Sequence, residues 1–284
     1  MSLALSASER AELVARHQAA IDGSLKTRLI TTGIVAAMIA LFIYALTTFE
    51  LDLWRIIHGF SNLGTFVVLM LPPDPGSFAR AIVFVKALFE TIAIAFLGTI
   101  LAAIFAFPLG FLAAKNVVAN RVVHFLARRS MDTVRGVDAL IWALIWVNVV
   151  GLGPFAGMLA IMTSDVGAFG KLYSEAIEAA DRKPVEGVTS VGGSKLHEIR
   201  FGLIPQVLPV IASQVLYFIE SNTRSSTIIG IVGAGGIGLY LAETIRTLEW
   251  QQASFVILLV LAAVSVIDLL SNKLRFAIIG KRAV

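Results

Sequence analysis

The chain has 284 residues, of which 57% are hydrophobic and only 15% charged, with a formal net charge of +4 and no cysteine. So apolar a composition excludes an ordinary soluble domain, because too few polar side chains remain to cover its surface, and it points to a bilayer. Disulfide frameworks and thiolate chemistry are excluded too, the four histidines lack metal-ligand spacing, and the basic residues cluster between apolar runs, which argues against a nucleic-acid footprint.

Residues 1–28 carry a capping-box spacing, Ser6 and Glu9, and mixed charges, so they read as a cytoplasmic surface helix. A first span follows at about 29–46, and it reads as an uncleaved anchor, since the basic region is long and no small-x-small site follows Leu46. Residues 47–87 form an external connection with Trp54, His58 and the turn Pro72-Pro73-Asp74-Pro75-Gly76. Its apolar piece, Phe60 to Leu71, is either an interfacial helix or packing against the spans. The second span is expected at 88–112, with Glu90 at its outer mouth.

The stretch 137–170 is either one long helix or two helices broken at Gly151-Leu152-Gly153-Pro154, where proline removes a donor and disfavours helix before it. Charge favours two. With spans at 134–150 and 154–170, then 206–220 and 252–270, there are six in all, and 18 of the 23 Lys and Arg fall on the inner side. One span there would leave 11 inside against 12 outside. Six spans put both termini and the loop 171–205 in the cytoplasm.

That loop has internal architecture. Pro184 suits the first turn of a helix and Gly192-Gly193 its end, so a short helix is expected from Pro184 to Val191. Val185, Val188 and Val191 share a face, Glu186 and Thr189 point elsewhere, and a further helix begins near Ser194.

The order Glu186, Gly187, Val188, then Gly192, then Gly202, Leu203, Ile204, Pro205 resembles the "EAA" signature of binding-protein-dependent ABC importer permeases. It departs from that signature at Gly187 and Val188 for Ala-Ala, at Gly202 for Ile and at Ile204 for Leu. An earlier Glu178-Ala179-Ala180 has Pro184 at the glycine position and reads as the lead-in helix. Together with GVTSVGGSKLHEI, FGLIPQVLP and IESNTRSSTIIGIVGAGGIGLYL, the loop is similar to the phosphonate-type branch of these permeases over residues 130 to 270. The resemblance implies an all-α membrane protein of about six transmembrane helices with type I importer, MetI-like architecture, in the bacterial inner membrane. It also implies a second permease subunit, forming a homodimer, two cytoplasmic ATPase subunits that bind ATP and Mg, and a periplasmic or lipid-anchored solute-binding protein. On this resemblance no cofactor, metal or catalytic residue is expected in this chain. ATPase coupling falls to Glu178, Pro184, Val185, Glu186, Gly187, Val188, Gly192, Gly193, Ser194 and Pro205.

Two nucleotide-site look-alikes fail on context. Gly233-Ala234-Gly235-Gly236-Ile237-Gly238 fits G-x-G-x-x-G but lacks a βαβ unit, and Gly187 to Lys195 has Gly193 where a phosphate loop needs lysine. Gly233, Gly235, Gly236 and Gly238 read instead as a tight packing or gating site. The preceding polar run, with Glu220, Asn222, Arg224, Ser225, Ser226 and Thr227 at the outer end of the fifth span, is the candidate anion path, because Arg grips oxyanions through two parallel donors. A polar turn with an Arg224–Glu220 pair is the plainer alternative. Asp165 is expected at the cytoplasmic interface, beside Thr163, Ser164 and Gly167. The competing function is an ATP-independent secondary transporter or channel for a small anion, which would want a deep coupling carboxylate and an internal repeat. A membrane-embedded enzyme would want clustered ionisable groups, which the sequence does not supply.

Overall fold

The computed structural model describes residues 25–49, 53–118 and 120–280, which are helical with no strand. The expected N-terminal surface helix lies outside the described residues, apart from 25–28. The chain divides into two compact units, Met1–Thr65 and Phe66–Val284.

In the first unit, α1 (Leu25–Thr48) is 24 residues long, about 36 Å. Leu29, Met38, Phe42 and Tyr44 are all exposed on it, and a helix apolar all round is stable only where lipid or protein covers it. Next, α2 (Leu53–Leu69) opens in the first unit and ends in the second. It starts seven residues ahead of the expected apolar piece, with Trp54 against His58 one turn on, ring centroids 4.4 Å apart.

The second unit is built around α3 (Phe78–Ala113), 36 residues long, about 54 Å. It begins ten residues before the expected span, because Ser77 caps it by accepting from Arg80 N, and a capped helix runs through Arg80 and Lys86 without needing an apolar run. Three buried clusters sit along it. Phe84 and Leu88 meet Ile237 and Val256, Ile94 meets Ile161 and Ile229, and Ala102 and Ala106 meet Phe169, Tyr173 and Val207.

The helix α6 (Pro154–Glu178) runs parallel to α3, pairing Gly98 with Ile161 and Gly110 with Tyr173 in one register. A β-carbon on Gly98 would stand 2.9 Å from Ile161 Cβ, and one on Gly110 2.7 Å from Tyr173 Cβ. The two backbones therefore touch through small residues, the usual route to tight helix pairs in lipid. Against α6 lie α4 (Arg121–Arg135) and α5 (Ala139–Val150), bent from each other by 86°. Asp138 breaks them by capping α5 through Leu140 N, so the expected span 134–150 is corrected. With 12 residues, about 18 Å, α5 by itself is too short for ~30 Å of hydrocarbon.

The helix α6 runs eight residues past 170, where the span was expected to end. Lys171 stays inside the helix because its Nζ donates to Asp132 Oδ1 of α4 at 3.0 Å. The connection then holds α7 (Arg182–Ser190), a short α8 (Lys195–His197) and a π-helical turn, Glu198–Leu203, that leads into α9 (Ile204–Ile231). Finally come α10 (Ile237–Arg246) and α11 (Trp250–Ile279). Both α9 and α11 outrun the expected 206–220 and 252–270. Four described helices are long and apolar enough to cross a membrane, or five if the bent pair is one span. With 25 residues, α6 has the length for a sixth, and its position inside the bundle lets it carry polar side chains that lipid would exclude.

Candidate functional site

The elbow between α6 and α9 is capped at every turn. Asp181 takes the N-cap of α7, accepting from Lys183 N at 3.1 Å, so the helix starts two residues ahead of Pro184. Gly192 ends the turn at φ +82°, a region that costs any β-carbon, while its N–H and that of Gly193 return to Thr189 O and Val188 O. Ser194 opens the next helix in a reciprocal cap with His197. Pro205 lies in the first turn of α9.

Two clamps hold α7 to the π turn and the start of α9. Gln206 donates from Nε2 to Asp181 O (3.1 Å) and Gly202 O (2.6 Å) and accepts from Asp181 N (2.9 Å). Glu198 accepts from Thr189 Oγ1 at 3.0 Å and from Lys195 Nζ at 2.7 Å. The Lys195 hydrogen bond, seconded by that from Thr189, holds the Glu198 carboxyl below the usual carboxylate range. Gly202 lets the π turn approach, since a β-carbon there would be 3.0 Å from Val185 Cα. Val185 and Val188 turn partly inward, Glu186 and Gly187 outward, and Val191, past the helix end, is 84% exposed with Leu196 at 76%. Beneath α7 lies a cavity of about 350 Å³ lined by Asn116, Asp181, Arg182, Glu186, Lys195 and Leu203, among others. Glu178 stands apart from this face, accepting from Lys115 N (2.8 Å) and Arg128 Nη2 (3.0 Å), and so braces α6 against the end of α3 and α4.

The polar run after Ile219 is not a turn, although the Arg224–Glu220 pair of that plainer alternative is present. It lies inside α9, which continues eleven residues beyond Glu220, about 16 Å. Thr223, Ser225, Ser226 and Thr227 each donate back to the carbonyl four residues earlier, which satisfies the hydroxyls without breaking the helix. Asn222 donates from Nδ2 to Thr99 Oγ1 of α3 at 2.8 Å and to Asp165 Oδ2 of α6. Asp165 is therefore buried at a three-helix junction and not at an interface. Its misleading neighbours are committed elsewhere: Thr163 Oγ1 donates to Leu159 O and accepts from Trp146 Nε1, and Gly167 seats the α4 backbone. On another side of α9, Glu220 is bridged by Arg224 Nη2 at 3.2 Å and by Arg275 Nη2 of α11 at 3.4 Å.

The glycine run Gly233 to Gly236 joins α9 to α10 and is pinned from two sides. Gly236 N donates to Glu90 Oε1 at 2.8 Å and Ile237 N to Thr91 Oγ1 at 2.7 Å, so α3 supplies the cap that a glycine N-cap lacks. Gly153 N donates to Gly233 O at 3.0 Å, tying in the α5–α6 turn. Gly235 sits at φ +84°, and a β-carbon would lie 2.6 Å from Pro154 N. Gly238 likewise leaves room for Thr227 O. Glu90 is thus twelve residues inside α3, about 18 Å from its start. Sequence reading did not single out Thr99, Glu198, Gln206 or Arg275. Only helix register, which brings 99, 165 and 222 to one level, could have found the first of these.

The family of binding-protein-dependent transport system inner membrane components matches residues 106–279. HtxC of Stutzerimonas stutzeri, a permease protein assigned to a phosphite transport system, is 39% identical over 90% of this chain and 89% of its own length. A protein of Escherichia coli assigned to a cryptic phosphonate transport system is 48% identical over 42% of this chain and 97% of its own. In structure, the permease fold of the inward-facing MetNI methionine ABC transporter matches with a TM-score of 0.62 at 18% identity, over 71% of this chain and 99% of that one. The helical architecture, the ordered elbow and these likenesses agree, and the chain belongs to the family of binding-protein-dependent transport system inner membrane components.

Proposed function

We propose that the chain is the membrane-spanning permease subunit of an ATP-driven importer for phosphonate or a related phosphorus oxyanion, phosphite or phosphate. The transport systems of its relatives support the substrate class. In this reading two copies pair in the bacterial inner membrane with both termini in the cytoplasm. Two ATPase subunits, which hold the ATP and Mg, dock on the elbow, and a periplasmic or lipid-anchored solute-binding protein delivers the anion. The observation that carries the coupling role is the doubly clamped α7 with bare apolar side chains at its end. Val191 and Leu196 are more than three-quarters exposed on an otherwise polar loop, and apolar side chains left bare in this way mark a partner's seat.

The lever works through α9. A push on α7 passes through Gln206 and Glu198 to the start of α9, and along that rigid helix to Asn222, whose bonds to Thr99 and Asp165 define one packing of α9 against α3 and α6. Glu220, Asn222, Arg224, Ser225, Ser226 and Thr227 form the anion path, and the Gly233–Gly238 loop sets how closely α9 and α10 approach. The chain itself performs no hydrolysis. The alternative of an ATP-independent carrier gains a deep carboxylate in Asp165, yet the elbow has no use in such a machine. The test is uptake of radiolabelled phosphite into proteoliposomes holding the purified complex. Uptake that needs both ATP and the solute-binding protein is expected, whereas uptake by this chain alone without ATP would overturn the proposal.

A further inference from the structure

Arg224, on the membrane-crossing part of α9, keeps its side chain 53% accessible. It shares its stripe with Tyr217, Ser221 and Ile228, one turn apart. A guanidinium on a spanning helix is not tolerated against lipid, so this stripe meets water or protein. A second cation comes to the same place from a different helix. Arg275 of α11 lies across the Tyr217 ring, 5.9 Å from its centroid, and its Nε is buried without a hydrogen-bond partner. Between the two stands Glu220, with one oxygen on each arginine and its side chain only 10% exposed. The trio carries a net charge of +1, and its carboxylate occupies the position where a tetrahedral oxyanion would bridge two guanidinium groups.

From this geometry we infer that Glu220 is a resident stand-in for the transported anion. Arg224 and Arg275 together form a transient oxyanion site that opens when the incoming anion displaces the carboxylate. This deepens the importer reading above and rests on it. A carboxylate and a phosphorus oxyanion offer the same forked acceptors to an arginine. With no anion in transit, Glu220 keeps both arginines paired and oriented. When an anion arrives, it trades places with Glu220, and Glu220 then competes to expel it. Such built-in competition keeps the site weak, as a conduit requires if ions are to leave as readily as they enter. The unused Nε of Arg275 supplies the additional donor that a three- or four-oxygen ligand accepts and a carboxylate does not.

The test uses the whole importer complex in proteoliposomes, with radiolabelled phosphite as probe, and reads both uptake and equilibrium binding of phosphite to the complex without its solute-binding protein. Removing the competitor in Glu220→Gln should tighten binding by about tenfold while slowing uptake, an opposite movement that loss of a merely structural ion pair does not produce. Arg275→Gln should lower both readouts by about tenfold, and Arg275→Lys, a point charge without the fork, should recover only part. The double variant Glu220→Gln/Arg275→Gln should stay as low as Arg275→Gln alone. Restored uptake in the double variant, or unchanged binding in Glu220→Gln, overturns the inference. Should Arg275→Gln fail to assemble, Glu220→Gln and Arg275→Lys decide the matter. A wild-type complex that imports no phosphorus oxyanion would instead sink the underlying substrate reading.

Discussion

Asn222→Ala removes the side chain that joins α3, α6 and α9 at one level, and the structure sets the size of the effect. Two hydrogen bonds disappear, to Thr99 Oγ1 and to the buried carboxylate of Asp165. Interhelical hydrogen bonds within membranes average about 0.6 kcal/mol each, so the bonds alone account for roughly 1 kcal/mol. Asp165 is then left in a site only 7% exposed without that donor, and an orphaned buried polar group adds about 1–3 kcal/mol. The total, about 2–4 kcal/mol, corresponds to a fall in apparent Tm of roughly 5–10 °C for a chain of this size. Thermal unfolding of the purified complex in detergent, at a fixed scan rate, measures it. Because the two residues share one bond, the double variant Asn222→Ala/Asp165→Ala should be more stable than the summed single losses, with a coupling of at least about 1 kcal/mol. An Asn222→Ala protein melting within about 1 °C of wild type, or strictly additive losses, would refute the latch.

Gly192→Val places a β-branched side chain at φ +82°, a strain of about 1–3 kcal/mol. It should abolish uptake while ATP hydrolysis by the assembled complex continues, and Gly192→Asn should be milder because Asn tolerates that region. Glu198 has a carboxyl whose folded-state pKa is depressed, so its contribution is present above the ordinary carboxylate value and is lost as pH falls through its lowered value. Hydrogen exchange at residues 182–198 should therefore be flat near pH 7 and rise only well below about pH 4, after correction for intrinsic rates. Glu198→Leu should give the raised exchange at neutral pH, and no difference from wild type would contradict the clamp. Gly235→Val collides with Pro154 N at 2.6 Å in a positive-φ position, and should reduce the yield of folded complex more than Gly187→Val, at a site with open space around it.

Much of the fold was legible because its signals are local. Apolar runs and the Gly151–Pro154 break need no partner to be read, and the elbow's Pro, Gly and Glu spacing is a property of one short segment. What escaped was set by tertiary contacts. Ser77 and Asp138 moved helix boundaries through side-chain caps that no hydropathy window sees. The polar residues 220–227 looked like a helix end because hydroxyls are polar in composition, whereas in the helix Thr223, Ser225, Ser226 and Thr227 bond their own backbone. Asp165 reads as an interface residue from its neighbours along the chain, and only Asn222 of another helix accounts for its burial, while Glu90 finds its partner, the Gly236 amide, only through the fold. Arg275, counted only as a basic tail residue, gained its meaning from a carboxylate 55 positions away.

The central claim is that α7 faces the cell interior and seats an ATPase. The chain has no cysteine, so a single Glu186→Cys variant carries one reporter on the exposed side of α7. A membrane-impermeant maleimide is expected to leave it unlabelled in intact cells, and a short bifunctional reagent to join it to the ATPase subunit in inside-out vesicles. Labelling from outside, or no cross-link from an assembled and transporting complex, would contradict that claim.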